Sequence, residues 1–186
     1  MRLLDRAFDR PEGWLGRLGG WWMAHRNRET IAWTVDLLDL NPGHRVLEIG
    51  FGPGVGIEEV LDQQPGAEVS GVDPSGPMLE AARERNRPAV DEGTVDLRAR
   101  VAENLPWPDA SFERAFTVDT YQAWRDPVTA LGELERVLVD GGRLSVGFTP
   151  GHADAAEGLT DALVRAGFQR PRRLTGEEGV CVIADR

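Results

Sequence analysis

The stretch that most constrains this chain is Val46-Leu47-Glu48-Ile49-Gly50-Phe51-Gly52-Pro53-Gly54-Val55-Gly56. Val46 to Ile49 is a short, mostly apolar run and reads as a buried strand. Four glycines at alternate positions follow, and then Ile57, Val60 and Leu61 fall at helical spacing. Strand, glycine turn and helix is the layout of a nucleotide-binding loop. Glycine permits positive φ and lets backbone approach a ligand closely. The first N–H groups of the helix are free to meet a negative group. The spacing narrows the ligand. A dinucleotide fingerprint G-x-G-x-x-G starting at Gly50 needs glycine where Val55 stands, and one starting at Gly52 needs it where Ile57 stands, which argues against a nicotinamide oxidoreductase. A phosphate-binding P-loop fails as well, because the chain contains no lysine. What is present is E-x-G-x-G-x-G headed by Glu48. An acid at the strand end repels phosphate and attracts an ammonium.

The rest of the chain alternates in a way that fits such a loop. Ala67 to Val72 reads as a second strand closed by Asp73, and Pro74-Ser75 opens a helix with Met78, Leu79 and Ala82 inward. Val95, Leu97, Ala99 and Val101 alternate as a third strand, and Phe112 to Val118 is a fourth. Asp126 before Pro127 is a helix start, with Val128, Leu131, Leu134 and Leu138 expected on the buried face. A fifth strand carries Leu144, Val146 and Phe148, a helix is expected from Ala153 to Ala166, and two strands near 168–174 and 180–184 close the chain as a hairpin. This pattern predicts an α/β fold: a doubly wound, Rossmann-like seven-stranded sheet, mostly parallel with an antiparallel C-terminal hairpin strand and helices on both faces. With 186 residues and no linker or repeat, one domain over 1–186 is expected, with 44–186 as its core.

Composition removes several function classes. A net charge of −10 argues against a nucleic-acid partner. The single cysteine, Cys181, excludes an intramolecular disulfide and a cysteine zinc site, and no metal site is expected. No run of eighteen apolar residues occurs, so stable membrane insertion is not expected and a cytoplasmic protein, monomeric or homodimeric, is. Residues 1–40 stand apart: Trp14, Trp21, Trp22 and Trp33 lie among Arg2, Arg6, Arg10, Arg17, Arg26 and Arg28. From Asn27 a helix is expected, with Ile31, Val35 and Leu38 on one face. The segment reads as helices packed on the side of the domain, as a lid over a ligand, or as a membrane-surface helix.

Three stretches together resemble one known family, the class I S-adenosylmethionine-dependent methyltransferases. Glu48-Ile49-Gly50-Phe51-Gly52-Pro53-Gly54 matches the first motif of that family, and Asp73 follows Gly54 by nineteen residues, where the family has its ribose-binding acid. Ala102-Glu103-Asn104-Leu105-Pro106-Trp107-Pro108-Asp109-Ala110-Ser111-Phe112 and Arg136-Val137-Leu138-Val139-Asp140-Gly141-Gly142-Arg143-Leu144 resemble the ubiquinone/menaquinone methyltransferase-like (type 11) branch. The resemblance spans about residues 44–148. It implies S-adenosyl-L-methionine as cofactor and S-adenosyl-L-homocysteine as product. Backbone at Gly50 and Gly52 would pass beneath the methionine part, Gly54 would belong to the same cofactor-binding turn, and Glu48 would receive the ammonium directly or through water. Asp73 would accept from the ribose hydroxyls, unless it serves only as a helix cap. Pro74 and Met78 would flank the adenine, Ala102 and Glu103 would bracket its polar edge, and Val118 would close the pocket. Val101 stands where the family usually has an acid, and Asp140 where it has proline.

Methyl transfer needs no covalent enzyme intermediate, so a base is required only where the acceptor must lose a proton. The loop after the fourth strand is where the acceptor should meet the methyl group, and Asp119 and Tyr121 are the candidates there. The Tyr121 ring either faces the sulfonium or packs on the sheet edge with Trp124. His25 and His152 are each a candidate base or a surface histidine. Asn27 either caps the helix after it or reaches the methionine carboxylate with Arg26 or Arg28. The expected function is methyl transfer to a small-molecule acceptor, apolar or aromatic with a negative group. The alternative is a protein that binds the same cofactor without transferring methyl.

Overall fold

The computed structural model describes residues 27–186, in which thirteen helices and strands follow one another. They are α1 (Arg28–Asp36), β1 (Arg45–Ile49), α2 (Val55–Gln63), β2 (Glu68–Val72), α3 (Gly76–Arg85), α4 (Arg87–Asp91) and β3 (Val95–Arg98). Then come β4 (Phe112–Val118), α5 (Pro127–Val137), β5 (Leu138–Phe148), α6 (Leu159–Arg165), β6 (Gln169–Gly176) and β7 (Gly179–Asp185). The seven strands form one sheet in the order β3-β2-β1-β4-β5-β7-β6. The five strands from β3 to β5 pair in parallel, and β7 runs antiparallel to both β5 and β6. This is the doubly wound sheet with an antiparallel hairpin strand that the alternation predicts.

Strand parity builds a core on each face of the sheet. In β1, Val46 joins Ile31, Val35, Phe51, Val60 and Ala82 on the α1–α2–α3 side. Its neighbours Leu47 and Ile49 join Leu131, Leu134, Val146 and Leu159 on the α5–α6 side. The strand period therefore turns Glu48 to the same face as Val46, toward the start of α2. In β5, Leu144, Val146 and Phe148 are fully buried under α5 and α6. The alternate residues Ser145 and Gly147 lie beneath α1. The Ser145 hydroxyl donates to the Thr34 carbonyl at 3.0 Å, and a Cβ on Gly147 would overlap the Thr34 side chain.

Four expectations about the elements need correction. The third strand stops at Arg98, because β2 ends at Val72 and offers β3 no further partner. Ala99 and Val101 are therefore not strand, and Val101 is 40% exposed. Val128 is 76% exposed, because the buried face of α5 is set by Ala130, Leu131, Leu134 and Val137, well around the helix from it. The helix expected from Ala153 to Ala166 is two elements, a 3₁₀ segment Pro150–Ala156 and α6, separated by Gly158 at φ +73°. Finally, α1 ends at Asp36, and Leu38, although buried, sits beyond it in a turn.

Candidate functional site

Strand order reverses between β1 and β4, since β2 lies on one side of β1 and β4 on the other. In doubly wound sheets the crevice beyond the strand ends at such a point is where ligands sit. Here the loops after β1, β2, β4 and β5 meet, carrying Gly50–Gly54, Asp73, Asp119–Thr120 and Thr149 respectively.

The glycine turn is shaped by its neighbours. Gly50 has φ +73° and hydrogen-bonds through its N–H to the Val72 carbonyl at 2.7 Å. A Cβ there would overlap the Thr120 methyl, so the loop after β4 presses directly on the turn. Thr117 and Thr120 secure that approach: the Thr117 hydroxyl donates to the Ile49 carbonyl at 2.8 Å and accepts from the Thr120 hydroxyl. Gly54 starts α2 at φ +82° and lines neither half of the groove described below. Its close neighbours are Ala82 and Asn86 of the following helix unit. Buried Asn86 donates to the Gly54 carbonyl at 3.0 Å and to Ala82 at 3.0 Å, tying the end of α3 to the turn. Neither Asn86 nor Thr120 stands out in the sequence, since the contact each makes with the glycine turn is distant along the chain.

Two carboxylates meet under this turn. Glu48 is buried, and its Oε2 has no hydrogen-bond partner among the described residues. Gly56 makes room for it, because a Cβ there would overlap Oε1. Burial pushes the Glu48 carboxyl up to about 8, the negative charge of Asp73 adds to the rise, and the Ile57 N–H opposes it. Asp73 is also buried; its Oδ2 accepts from Gly52 N–H at 3.0 Å and its Oδ1 from Ser75 N–H at 2.8 Å. Burial raises Asp73 against those two bonds. The cap of α3 is Ser75, which accepts from Met78 N–H at 3.4 Å, so Asp73 is not the cap residue.

The groove has two halves on either side of Gly50 and Asp73. One, of about 260 Å³, is lined by Glu48, Gly50, Gly52, Met78, Val118 and Asp119. The other, of about 300 Å³, is lined by Pro74, Val101, Ala102, Glu103 and Trp124, with Gly50 and Asp73 shared. The first offers an orphaned carboxylate oxygen beside backbone; the second offers apolar walls suited to a flat ring. The exposed Val101 faces the second half. The Glu103 carboxylate is occupied in part, since its Oε1 accepts from Arg125 N–H at 2.8 Å and Asp126 N–H at 3.2 Å. The loop bearing Ala102 is anchored from α5: Glu133 accepts from Leu105 N–H at 2.9 Å, and Arg136 donates to the Leu105 and Trp107 carbonyls. That anchoring gives a physical reason for the two distant motifs to occur together.

Asp119 joins this groove to a third cavity. It sits at φ +55°, a conformation that costs on the order of 1–3 kcal/mol and is sustained only by surrounding bonds. Its Oδ1 accepts from Thr149 N–H at 2.9 Å; its Oδ2 accepts from the Thr149 hydroxyl at 2.8 Å and from Asn27 Nδ2 at 3.1 Å. His152 Nδ1 lies 3.1 Å from the same oxygen. Asn27 therefore spends its side chain on Asp119 and does not cap α1. Arg28 pairs with Glu58 at 3.0 Å. The third cavity, of about 490 Å³, is lined by Asp119, Thr149, His152, Glu29, Glu177 and Glu178 among others. Tyr121 packs edge-to-face on Trp124 and on Phe148, with ring centroids 5.3 and 6.3 Å away, which is the sheet-edge arrangement. His25, Arg26, Trp14, Trp21 and Trp22 of the expected lid lie outside the described residues, while Trp33 lies on α1.

Comparison with known proteins gives a consistent picture. The family model described as "Methyltransferase domain" matches residues 47–146. A match at 27% identity covers 91% of this chain and 98% of the "Uncharacterized methyltransferase YdaC" of Bacillus subtilis. The demethylmenaquinone methyltransferase of Thermus thermophilus is 37% identical over 73% of this chain and 60% of its own length. Among solved structures, a SAM-dependent methyltransferase from Aquifex aeolicus superposes with a TM-score of 0.73 at 18% identity, over 90% of this chain and 95% of that one.

Proposed function

This chain belongs to the methyltransferase-domain family of S-adenosylmethionine-dependent enzymes, and from that premise we propose that it methylates a small molecule held in the cavity beyond Asp119. The observation that carries this reading is the shared wall: Asp119 lines both halves of the cofactor-sized groove and also the third cavity. A donor and an acceptor placed on the two sides would meet there.

The groove fits the family's cofactor. The orphaned Glu48 oxygen is a ready acceptor for the α-ammonium, and the Gly50–Gly52 backbone supplies a floor for the methionine part. Asp73 has lone pairs left for the ribose hydroxyls, and Pro74, Ala102 and Trp124 offer faces to the adenine. When bound, the cofactor supplies a methyl group on a sulfonium that leaves as a thioether. The protein's own work is then to orient the acceptor in line and to exclude water. The described lining of the acceptor cavity carries the carboxylates of Glu29, Asp119, Glu177 and Glu178. It therefore suits a neutral polar or cationic acceptor better than the anionic, apolar one expected from the arginine- and tryptophan-rich N-terminus.

The test is cofactor binding by calorimetry together with release of S-adenosylhomocysteine in the presence of catechol, benzylamine or demethylmenaquinol. Binding plus release with at least one acceptor supports the reading. Tight binding with no release from any acceptor would favour a protein that uses the cofactor without transferring methyl.

A further inference from the structure

We propose that His152, held by Asp119, is the base that removes a proton from the methyl acceptor; this inference rests on the methyl-transfer reading above. His152 lies on the 3₁₀ segment after β5, and Asp119 on the loop after β4. The ring nitrogen Nδ1 is 3.1 Å from Asp119 Oδ2 and 3.2 Å from the Thr149 hydroxyl. The Thr149 hydroxyl gives its single proton to Asp119 at 2.8 Å, and Asn27 donates to the same carboxylate. Every group around Nδ1 is thus an acceptor toward it, so the neutral ring carries its proton on Nδ1 and keeps the lone pair on Nε2.

The rest of the geometry assigns the roles. The Asp119 side chain is 11% exposed and both its oxygens are engaged, so it is a positioning residue. The His152 side chain is 54% exposed and borders the acceptor cavity, so Nε2 can reach an acceptor. The charged groups facing it are Asp119, Glu29 of α1, and Glu177 and Glu178 of the β6–β7 turn, with Asp154 on its own segment. Among the described residues all are carboxylates, placed to pair with the imidazolium that forms. The acceptor class is one with a proton to lose, a hydroxyl or an ammonium. Its O–H or N–H bond breaks and the proton passes to Nε2. The freed lone pair bonds to the methyl carbon as the S–C bond breaks, with that electron pair staying on sulfur. The imidazolium then returns its proton to water.

Two measurements test this on the whole chain, the first with S-adenosylhomocysteine bound. The chain has three histidines, so ¹⁵N–¹H long-range correlation spectra of the imidazoles resolve His152, with H152Q giving the assignment. The expected result is the Nδ1–H tautomer in the wild type and a shift toward Nε2–H in D119N. An Nε2–H wild-type ring, or a tautomer unmoved by D119N, overturns the proposal whether or not a probe is turned over. The second measurement is S-adenosylhomocysteine release with catechol and with benzylamine from pH 5 to 9. We expect kcat to fall at least thirtyfold in H152Q, with the ascending limb of the pH profile lost and product affinity within twofold of wild type. A fall under threefold with the limb retained overturns His152 as base while leaving methyl transfer intact. Failure of the wild type to bind the cofactor or its product overturns the functional reading itself.

Discussion

At the residue scale, Glu48 ties stability to ligand binding. Its carboxyl, ordinarily near 4.5, is held at about 8 in the folded protein. Between those values the native state keeps a proton that the unfolded chain has lost. Stability from this group is therefore present below pH 4.5 and is lost as the pH rises through about 8. Glu48→Gln removes the cost of a buried, unpartnered charge. The variant should melt higher than the wild type at pH 8–9, with the gap closing toward pH 5, while binding S-adenosylmethionine at least tenfold more weakly. An ammonium docking on Glu48 favours its ionised form. Cofactor binding at pH 7 should then release close to one proton, read by calorimetry in buffers of different ionisation enthalpy. Binding without proton release would remove Glu48 from the ammonium site. Asp73→Ala should weaken cofactor binding at least tenfold, about 1.4 kcal/mol, in a protein confirmed folded by its melting transition. Unchanged affinity would sink the ribose assignment. Glu48 and Asp73 were legible because each sits at a strand end with a fixed spacing to the glycines. Asn86, Thr120 and Thr149 were not, because the contact that ties each one to the site lies tens of residues away in sequence.

At the element scale, the placement of α1 matters most for the acceptor side. Its contact with β5 is close because Gly147 lacks a side chain where Thr34 approaches. Gly147→Ala should push α1 outward and cost roughly 1–3 kcal/mol in urea denaturation, as overpacking does. The displacement should also stretch the Asn27–Asp119 bond at the start of the helix, now 3.1 Å. An unchanged denaturation midpoint would mean that α1 is not pinned at this point. Helical periodicity found α1 and α5 but misplaced Val128. An apolar residue in the first turn fits a three- or four-residue spacing whether or not the sheet lies under it. The broken helix after β5 was missed for a related reason. Ala153 to Ala166 has helical composition throughout, and only the left-handed Gly158 with the 3₁₀ turn before it lets His152 face Asp119.

At the scale of the whole molecule, the groove proposed for the cofactor is built from the loops after four different strands, so filling it should stabilise the entire sheet. S-adenosylhomocysteine at a hundredfold excess over its Kd should add about 2.7 kcal/mol. For a chain of this size that raises the melting temperature by roughly 5–10 °C. NAD at the same concentration should give no shift, and a comparable shift with NAD would contradict the reading of the glycine turn. No helix among the described residues is long and apolar enough to cross a membrane.

The sequence by itself determined the fold class and the cofactor, and it marked the residues proposed to hold that cofactor. Strand and helix periods are local, and the glycines, Glu48 and Asp73 are fixed by short spacings along one β–α–β unit. Only the tertiary structure brings together the end proposed for the acceptor. That end is made where the start of α1, the loops after β4 and β5 and the β6–β7 turn converge, and no spacing in the chain records such a meeting. The same convergence turned Tyr121 toward the core, brought His152 to Asp119 and, among the described residues, lined the cavity beside them with carboxylates. Side-chain partners across a sheet are chosen by packing, and packing is not written in any one segment.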